Sequence, residues 1–198
     1  MIVIGVDEAG RGPLIGRVYA GAVIIDIDIE DNINSIIINS IITDSKKMSK
    51  KKRGIAYEYI VNNLKYGVGY ADEMEIDDIN ILQATRKAME RAIEDIVKKY
   101  NVKEYKLQID GCYWEKYFDN CESIVKGDLK VKEISAASIV AKESHDKYIM
   151  ELCNENPELN KQYDLLKNMG YGTANHLHGI KTYGTSKFHR KSFKCCKD

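Results

Sequence analysis

Two adjacent carboxylates, Asp7 and Glu8, stand near the start of the chain, between an apolar run and a loop with an arginine between two glycines. Residues 2–6 are mostly apolar and predict a short buried strand. Since side chains on a strand alternate between its faces, the two carboxylates can share a site only if the backbone turns there. The glycines of the loop 10–12 make such a turn easy. Carboxylates at the rim of a sheet beside a cationic loop are typical of a site for a hard metal ion and a phosphate, although a charged turn contains the same residues.

Two more carboxylates follow predicted strands further along the chain. Residues 105–109 predict a strand that ends at Asp110, and Asp128 follows a weaker strand predicted at 123–125. Because the first of these strands comes after a long helix, we expect it to run parallel to the opening strand, which places Asp7 and Asp110 at the same edge of the sheet. Clustered carboxylates repel one another unless cations neutralise them, and oxygen ligands favour Mg²⁺ or Mn²⁺ over zinc. Two such ions about 4 Å apart are an arrangement that hydrolyses phosphodiesters.

The elements that position these side chains are predicted to form a mixed α/β sheet. A second strand at 18–25 follows the glycine loop so closely that we expect it to be antiparallel to the first. Ser49 is predicted to cap one helix and Ser135 another. The other elements predicted from apolar periodicity are a helix ending at Asn63, a strand at 64–71, a long helix at 75–100, an alanine-rich helix at 136–152, and helical patterns at 158–169 and 173–182.

The length of 198 residues suits one domain with a small appendage. We predict a domain at residues 1–152 and a helical C-terminal segment with a basic tail at residues 153–198. The formal net charge of zero provides no global attraction to nucleic acid, but the basic runs Lys46–Arg53 and Lys181–Lys197 can contact a polyanion locally. Residues 26–39, rich in Ile, Asn and Asp, are predicted to form a surface excursion.

The five cysteines include no CxxC pair, which argues against a disulfide framework and favours a reducing compartment. The N-terminus lacks the basic segment of a signal peptide, and no uninterrupted apolar stretch approaches the length that spans a membrane. We therefore expect a soluble, cytoplasmic protein without a membrane association. We also expect it to act as a monomer.

Six motifs follow one another along almost the whole chain. They are Asp7-Glu8-Ala9-Gly10-Arg11-Gly12-Pro13-Leu14, Asp44-Ser45-Lys46-Lys47-Met48-Ser49, Asp110-Gly111, Gly127-Asp128 with Ser135-Ala136-Ala137-Ser138-Ile139-Val140-Ala141-Lys142, Gly170-Tyr171-Gly172-Thr173 with His176, and His189-Arg190-Lys191-Ser192-Phe193. Each motif alone is a weak signal, but the six in this order are very specific. With them the chain resembles the type 2 ribonuclease H family, ribonuclease HII.

The resemblance implies the RNase H-like fold, a five-stranded mixed sheet flanked by helices, with a small helical C-terminal segment. Residues 1–152 would then be the RNase H-like catalytic domain. The implied activity is that of an endonuclease that cuts the RNA strand of RNA–DNA hybrids. It would also incise duplex DNA on the 5′ side of an embedded ribonucleotide, leaving 3′-hydroxyl and 5′-phosphate ends. The implied partners are RNA–DNA hybrids and duplex DNA that contains ribonucleotides.

The resemblance also assigns catalytic roles to individual residues. It places Asp7, Glu8, Asp110 and Asp128 at the four catalytic, metal-binding carboxylate positions, with two Mg²⁺ or Mn²⁺ ions expected when substrate is bound. The cut needs a nucleophilic water and a stabilised leaving oxygen, and two metal ions supply both. No nucleophilic serine, cysteine or histidine is then required.

Substrate-binding residues follow from the resemblance in the same way. It places Gly10-Arg11-Gly12 in the loop that senses the 2′-hydroxyl of the ribonucleotide. Tyr171 occupies the position of the tyrosine that stacks on the sugar just past the RNA-to-DNA junction. A discriminating enzyme must contact the 2′-hydroxyl, and a loop with two glycines lets backbone amides approach it closely. Lys46 and Lys47 are candidates for contacts with phosphates.

The sequence departs from the family pattern at two places near these motifs. Arg17 stands where the family usually has a proline, which could alter the exit of the glycine loop. His145-Asp146 replaces the more usual Arg-Asp on the alanine-rich helix. Neither departure touches the four carboxylates.

Three other interpretations use the same sequence. Gly10, Gly12 and Gly16 nearly match a dinucleotide fingerprint, which would make the protein an oxidoreductase, but the spacing is one residue too long and a strand rather than a helix follows. Histidines and cysteines between residues 176 and 196 could form a zinc site, although their spacing matches no common zinc module. A basic tail with aromatic residues would also suit a nucleic-acid-binding module without catalysis, which would leave the carboxylates unexplained.

Overall fold

The computed structural model describes most of the chain. The described residues are 1–26, 40, 42 and 48–197. Nearly all of the predicted surface excursion at 26–39 lies outside the described residues, and so do Lys46 and Lys47.

Five strands form one mixed sheet. They are β1 (Ile2–Ala9), β2 (Val18–Ile24), β3 (Lys65–Ala71), β4 (Tyr105–Asp110) and β5 (Cys121–Ile124). Their order across the sheet is β3-β2-β1-β4-β5. β1 pairs antiparallel with β2 and parallel with β4, while β3 is antiparallel to β2 and β5 is parallel to β4. This confirms the predicted five-stranded mixed α/β sheet and both predicted strand directions.

Helices flank the sheet and form the C-terminal part of the chain. They are α1 (Lys50–Asn63), α2 (Glu73–Tyr100), α3 (Lys132–Glu155), α4 (Pro157–Tyr163), α5 (Leu165–Asn168) and α6 (Ala174–Tyr183). Short 3₁₀ turns occur at Trp114–Lys116, Gly127–Leu129 and Lys194–Cys196. Within the described ranges, none of the helices combines the length and the apolar composition that a membrane crossing requires.

The two longest helices, α2 and α3, cover opposite faces of the sheet. On β2, the side chains of Ala20 and Ala22 belong to the buried cluster that includes α2. Gly21 between them faces α3, where an added Cβ would lie 2.4 Å from the carbonyl oxygen of Ala137. This alternation follows from the two-residue period of a strand. It buries both faces of the central strands and leaves the strand ends open for a site.

Helix starts follow capping side chains. Ser49 caps α1 as predicted, since its hydroxyl accepts a hydrogen bond from the amide of Lys52 at 3.3 Å. Helix α2 is interrupted at Asn80, whose backbone (φ 67°, ψ 163°) is not helical, and it begins two residues before its predicted start. There Asp72 and Glu75 form a reciprocal capping box, in which each side chain accepts from the backbone amide of the other.

The predicted start of α3 is wrong. The helix begins at Lys132, directly after the 3₁₀ turn at Gly127–Leu129, so Ser135 falls inside the helix instead of capping it. The hydroxyl of Ser135 donates a hydrogen bond to the carbonyl oxygen of Asp128. Ser135 therefore fastens the helix to the turn that contains one of the predicted metal-binding carboxylates.

The C-terminal part consists of short helices without intervening strands, as predicted. The helix predicted at 158–169 is interrupted at Asp164, whose left-handed backbone (φ 57°) separates α4 from α5. Leu159 and Tyr163 are buried in a small cluster with the C-terminal half of α3. Since α3 runs through residue 152, the division of the chain into residues 1–152 and 153–198 stays a prediction.

Candidate active site

The ends of β1 and β4 place three carboxylates, those of Asp7, Glu8 and Asp110, around one cleft of about 400 Å³. In the parallel pairing of the two strands Val6 lies opposite Ile109, so the next residue of each strand is an aspartate. The predicted placement of Asp7 and Asp110 at the same edge of the sheet is therefore observed. Carboxylates contributed by two neighbouring strand ends form the acidic wall of the cleft.

The two adjacent carboxylates do not need the backbone turn expected at this point, since β1 continues as a regular strand through Ala9. Because β4 ends at Asp110, Glu8 extends beyond its neighbouring strand and borders the cleft without a turn. The amide of Glu8 donates a 2.7 Å hydrogen bond to Oδ1 of Asp7. This bond holds the Asp7 carboxylate, which is only 3% exposed, against its own strand.

The fourth predicted carboxylate, Asp128, lies beside this cleft and does not line it. The amide of Gly127 donates a 2.6 Å hydrogen bond to Oδ1 of Asp110, which ties the turn at 127–129 to the end of β4. Asp128 itself is buried and borders a separate cavity of about 260 Å³, together with Lys132 and Ser135. The structure thus brings Asp7, Glu8 and Asp110 around one space and places Asp128 in the turn whose Gly127 amide binds the carboxylate of Asp110.

The donor set fits a hard divalent ion that is completed by other ligands. In the described part of the chain, no group of three or more histidine, cysteine or acidic side chains is already arranged to hold a metal ion. Mg²⁺ typically binds one or two carboxylates, keeps several water ligands and takes the rest from substrate phosphates, so it does not need an all-protein cage. Three carboxylates on one open cleft meet this requirement.

The glycine loop forms the neighbouring wall of the cleft. Gly10 has a positive φ of 88°, and an added Cβ there would lie 2.5 Å from the imidazole of His145. At Gly12 an added Cβ would lie 3.2 Å from Cε1 of Tyr171. Arg11, between the glycines, forms an ion pair with Glu8 at 3.2 Å. Glycine is therefore required at position 10, by its positive φ and by the close approach of His145, whereas a side chain at position 12 would crowd the ring of Tyr171.

The ring of Tyr171 lies over the loop and borders the cleft. It is 41% exposed, so a substrate can reach it. The backbone around it is fixed, because the Tyr171 carbonyl accepts hydrogen bonds from the amide of Thr173 and from Nδ1 of His176. Lys142 lies on the same side, with its ammonium 5.7 Å from the ring centroid. Residues far apart in the sequence thus meet at this end of the cleft.

Three residues that the sequence interpretation did not select also line the cleft: Arg53, Ser138 and Lys142. Ser138 and Lys142 belong to the motif that contains Ser135, and their spacing of four residues puts them on one face of α3. Arg53 is the last residue of the basic run 46–53, which was predicted to contact a polyanion without any one of its later residues being singled out. The helical spacing was the signal that could have identified Ser138 and Lys142.

A buried ion-pair network orients these cations. Arg53 donates from Nε to Glu143 at 2.5 Å and from Nη2 to Asp146 at 3.2 Å, and Lys142 pairs with Asp146 at 2.8 Å. Burial alone would raise the pKa of Asp146, but hydrogen bonds from His145 and Lys142 outweigh it and hold that pKa below its ordinary value. Asp146 therefore stays charged and fixes two cations at the cleft. Burial lowers the pKa of His145, which keeps its imidazole neutral.

The other residues named from the sequence are Lys46, Lys47 and the C-terminal histidines. Lys46 and Lys47 lie outside the described residues, so their phosphate contacts stay predictions. His176 and His189 touch through their Nε2 atoms at 3.1 Å. A zinc site at residues 176–196 would need at least three histidine, cysteine or acidic side chains grouped around a metal ion, and the described residues contain no such group.

A second cavity, of about 440 Å³, extends from the first. Glu8, Arg11 and Asp110 border both cavities. The exposed side chains of Tyr113 and Tyr117 also line the second cavity. Glu8 and Asp110 therefore lie where the two cavities join into a longer groove.

Comparison with known proteins gives a consistent result along the sequence. A family model described as Ribonuclease HII matches residues 4–196. A protein named Ribonuclease HII from Rickettsia akari (strain Hartford) is 47% identical over 195 residues, which cover 98% of this chain and 92% of that protein. A protein of the same name from Polynucleobacter asymbioticus is 46% identical over 192 residues, with coverages of 96% and 92%.

Solved structures agree in fold. The crystal structure of ribonuclease H2 from Pyrococcus horikoshii OT3 matches with a TM-score of 0.69 at 26% identity, over 99% of this chain and 95% of that chain. The RNase HII of a PCNA:RNase HII complex from Archaeoglobus fulgidus matches with a TM-score of 0.73 at 19% identity, over 98% and 96%. Bst-RNase HIII in complex with Mn²⁺ matches with a TM-score of 0.73 at 18% identity, over all of this chain and 68% of that chain. At these last two identities the likeness concerns the fold alone, which is the α/β RNase H-like fold.

Proposed function

Because the chain belongs to the ribonuclease HII family and is therefore a hydrolase of the RNase H type, we propose that it cuts the RNA strand of RNA–DNA hybrids and incises duplex DNA 5′ of embedded ribonucleotides. The products would be 3′-hydroxyl and 5′-phosphate ends. Family membership removes the oxidoreductase and the non-catalytic binding module from consideration. The observation that supports the proposal most directly is that Asp7, Glu8 and Asp110 line the same cleft as Arg53 and Lys142.

We assign metal binding to Asp7, Glu8, Asp110 and Asp128, with Mg²⁺ or Mn²⁺ as the ion and two ions expected with substrate. Oxygen-only ligands suit these ions, and enzymes of the RNase H family depend on divalent metals. When bound, the ions supply an activated water and charge stabilisation at the leaving oxygen. The chain holds the ligands in place before binding, since backbone amides hydrogen bond to the carboxylates of Asp7 and Asp110.

Recognition of the ribose is assigned to the loop Gly10-Arg11-Gly12 and to Tyr171. Only the 2′-hydroxyl distinguishes RNA from DNA at a single nucleotide, so the discriminating contact must be a hydrogen bond at close range. The missing side chains of the two glycines open this approach, and the half-exposed ring of Tyr171 provides a surface on which a sugar can pack. The loop and the ring line the same cleft next to each other, so we assign them to one binding surface.

Contacts with phosphates are assigned to Arg53 and Lys142, with Lys46 and Lys47 as further candidates. Arg53 and Lys142 line the same cleft as the carboxylates. Phosphate contacts position a nucleic acid without reading its sequence, which suits an enzyme that recognises a sugar in any sequence context. Asp146 pairs with both cations, with Arg53 at 3.2 Å and with Lys142 at 2.8 Å, and so holds them in place at the cleft.

The proposal predicts that Asp7→Asn and Asp110→Asn each reduce kcat/KM by at least about 100-fold, because each removes a charged ligand while keeping the side-chain shape. An asparagine still presents Oδ1 to the amide of Glu8 or Gly127, so the melting temperature should change little. The measurement is cleavage of a labelled DNA duplex that contains one ribonucleotide, with Mg²⁺ and with chelator.

Asp119→Asn is the matched control, since Asp119 is an exposed aspartate outside both cavities. It should cleave at the wild-type rate. Wild-type activity in the Asp7 or Asp110 variant, or cleavage that persists in chelator, would contradict the assignment of the metal site.

A further inference from the structure

Arg190, in the C-terminal segment, buries its guanidinium completely under the glycine loop. Its Nε donates to the carbonyl oxygen of Gly16 at 2.8 Å and its Nη1 to that of Arg11 at 3.1 Å. Its Nη2 donates to the carbonyl oxygens of Gly10 at 2.7 Å and Arg17 at 3.0 Å. One side chain thus binds four carbonyl groups of a single loop that lies more than 170 residues earlier in the chain.

The buried guanidinium of Arg190 has an uncommon set of hydrogen-bond partners. Buried arginines usually pair with carboxylates, but in the described part of the chain no carboxylate forms an ion pair with Arg190. Burial lowers the pKa of Arg190 to about 10, so the group still carries its charge at neutral pH. The loop carbonyls accept the hydrogen bonds of this side chain, which couples their orientation to this one guanidinium, while Glu73 and Asp77 add favourable charge interactions from beyond ion-pair distance.

The backbone around Arg190 is paired with the same loop. The amide of Arg190 donates to the carbonyl oxygen of Leu14 at 2.9 Å, and the amide of Gly16 donates to that of Phe188 at 2.8 Å. Beyond Arg190, the carboxylate of Asp77 on α2 accepts hydrogen bonds from the amides of Lys191 and Ser192. The guanidinium is thus held from both sides and acts as a rigid template.

The orientation of the loop carbonyls decides where its amides point. In a trans peptide the C=O and N–H groups point in opposite directions. The carbonyls of Gly10 and Arg11 point inward to the guanidinium, so the amides of Arg11 and Gly12 point outward, on the stretch that lines the cleft. Among the described residues neither amide has an acceptor in the protein. These two donors are available to a ligand.

We propose that Arg190 is a positioning residue for sugar recognition: it aims the amides of Arg11 and Gly12 at the 2′-hydroxyl of the ribonucleotide. The inference rests on the proposed function and extends it to a residue that touches no substrate. A loop with glycines at both ends has little conformational preference of its own, so it needs such a template. The C-terminal segment thereby determines which sugar the N-terminal loop accepts.

The test compares two duplexes of identical sequence, one with a single ribonucleotide and one entirely of DNA, in buffer with chelator so that neither is cut. The readout is the ratio of their dissociation constants. Arg190→Lys keeps the charge and the apolar stem but cannot span four carbonyls. It should reduce the ratio by about tenfold, the effect of misaligning one or two hydrogen bonds, and change the affinity for all-DNA duplex by less than about twofold.

Lys187→Met is the matched control, because Lys187 is an exposed cation of the same segment and does not contact the loop carbonyls. Loss of this cation should affect both duplexes equally and leave the ratio at the wild-type value. If Arg190→Lys does not fold, Arg190→Gln, which retains one N–H donor group and the same stem direction, provides the same comparison.

The outcomes separate this inference from the proposed function. A wild-type protein that binds both duplexes equally would contradict the assignment of sugar sensing to this cleft. A wild-type preference that persists in a folded Arg190 variant would overturn the role of Arg190 alone. A variant that loses the preference for the ribonucleotide duplex but keeps its affinity for the all-DNA duplex would support the role of Arg190. A purely structural defect would weaken both affinities together.

Discussion

The imidazoles of His176 and His189 show how the fold selects a protonation state at the level of single residues. The amide of Ser186 donates to Nδ1 of His189 at 2.9 Å, so this nitrogen carries no proton. Nε2 of His189 then donates to Nε2 of His176 at 3.1 Å, and Nδ1 of His176 donates to the carbonyl oxygen of Tyr171 at 3.1 Å. Every donor meets an acceptor only when both rings are neutral.

This chain of hydrogen bonds predicts an acid-sensitive fold. Burial, reinforced by the neighbouring His176, lowers the pKa of His189 to about 4, whereas an unfolded histidine titrates near 6.5. Between these pH values the unfolded chain binds more protons than the folded chain. The contribution of neutral His189 to the free energy of unfolding is therefore complete above about pH 6.5 and is lost as the pH falls towards 4. Urea unfolding at several pH values should show a loss of up to about 1.4 kcal/mol per pH unit from this residue.

His189→Gln should flatten this dependence, since glutamine can donate to His176 and does not titrate. His178→Gln is the matched control, because His178 is exposed on the same helix as His176. It should leave the slope unchanged. Equal slopes in the wild-type protein and His189→Gln would show that other groups cause the acid sensitivity.

At the scale of elements, the contact between β2 and α3 depends on the absence of a side chain at Gly21. An added Cβ would lie 2.4 Å from the carbonyl oxygen of Ala137 and 3.1 Å from the amide nitrogen of Ala141. Because both neighbours are helix backbone, the helix must move away from the sheet. We expect Gly21→Ala to lower the free energy of unfolding by about 1–3 kcal/mol, in the range of overpacked cores.

Gly54 provides the opposite case within the same protein. It lies inside α1, and among the described residues an added Cβ would meet no atom of another element within 4 Å. Gly54→Ala should therefore raise the free energy of unfolding by about 0.5–1 kcal/mol, since alanine loses less conformational freedom in a helix. Denaturant unfolding of the two variants checks both signs. A stabilised Gly21→Ala variant would contradict the tight packing of α3 on the sheet.

At the scale of the whole molecule, a chain with a net charge of zero must attract nucleic acid through local patches. The proposed phosphate contacts predict that binding of an RNA–DNA hybrid weakens steeply with salt. Lys142→Gln should reduce the slope of log K against log salt by about one, because the variant makes one phosphate contact fewer and binding then releases one counterion fewer. Binding titrations across a range of salt concentrations measure this slope.

Lys147→Gln serves as the control for that experiment. Lys147 lies on the same helix, its side chain is 69% exposed, and it borders neither cavity of the groove. Its removal should leave the slope within error of the wild-type value. A salt dependence that is flat, or that both variants change equally, would argue that the cleft cations do not contact phosphates.

Local patterns in the sequence determined most of the fold of this protein. The strand ending at Asp110, the helix cap at Ser49 and the long amphipathic helix up to Tyr100 were all predictable, because each depends on neighbouring residues. Where the local signal was ambiguous the prediction was wrong. Ser135 has the residue type of a cap, but the helix starts at Lys132, directly after the preceding turn and four residues before its predicted start at 136.

Only the tertiary structure decided how the site is assembled. The sequence indicated the carboxylates, but packing determined that Asp7, Glu8 and Asp110 line one space while Asp128 borders another. It also brought Arg190 under a loop at the other end of the chain. Such contacts join residues with no local relation, and they exist only because the sheet and its helices leave one particular space for each side chain.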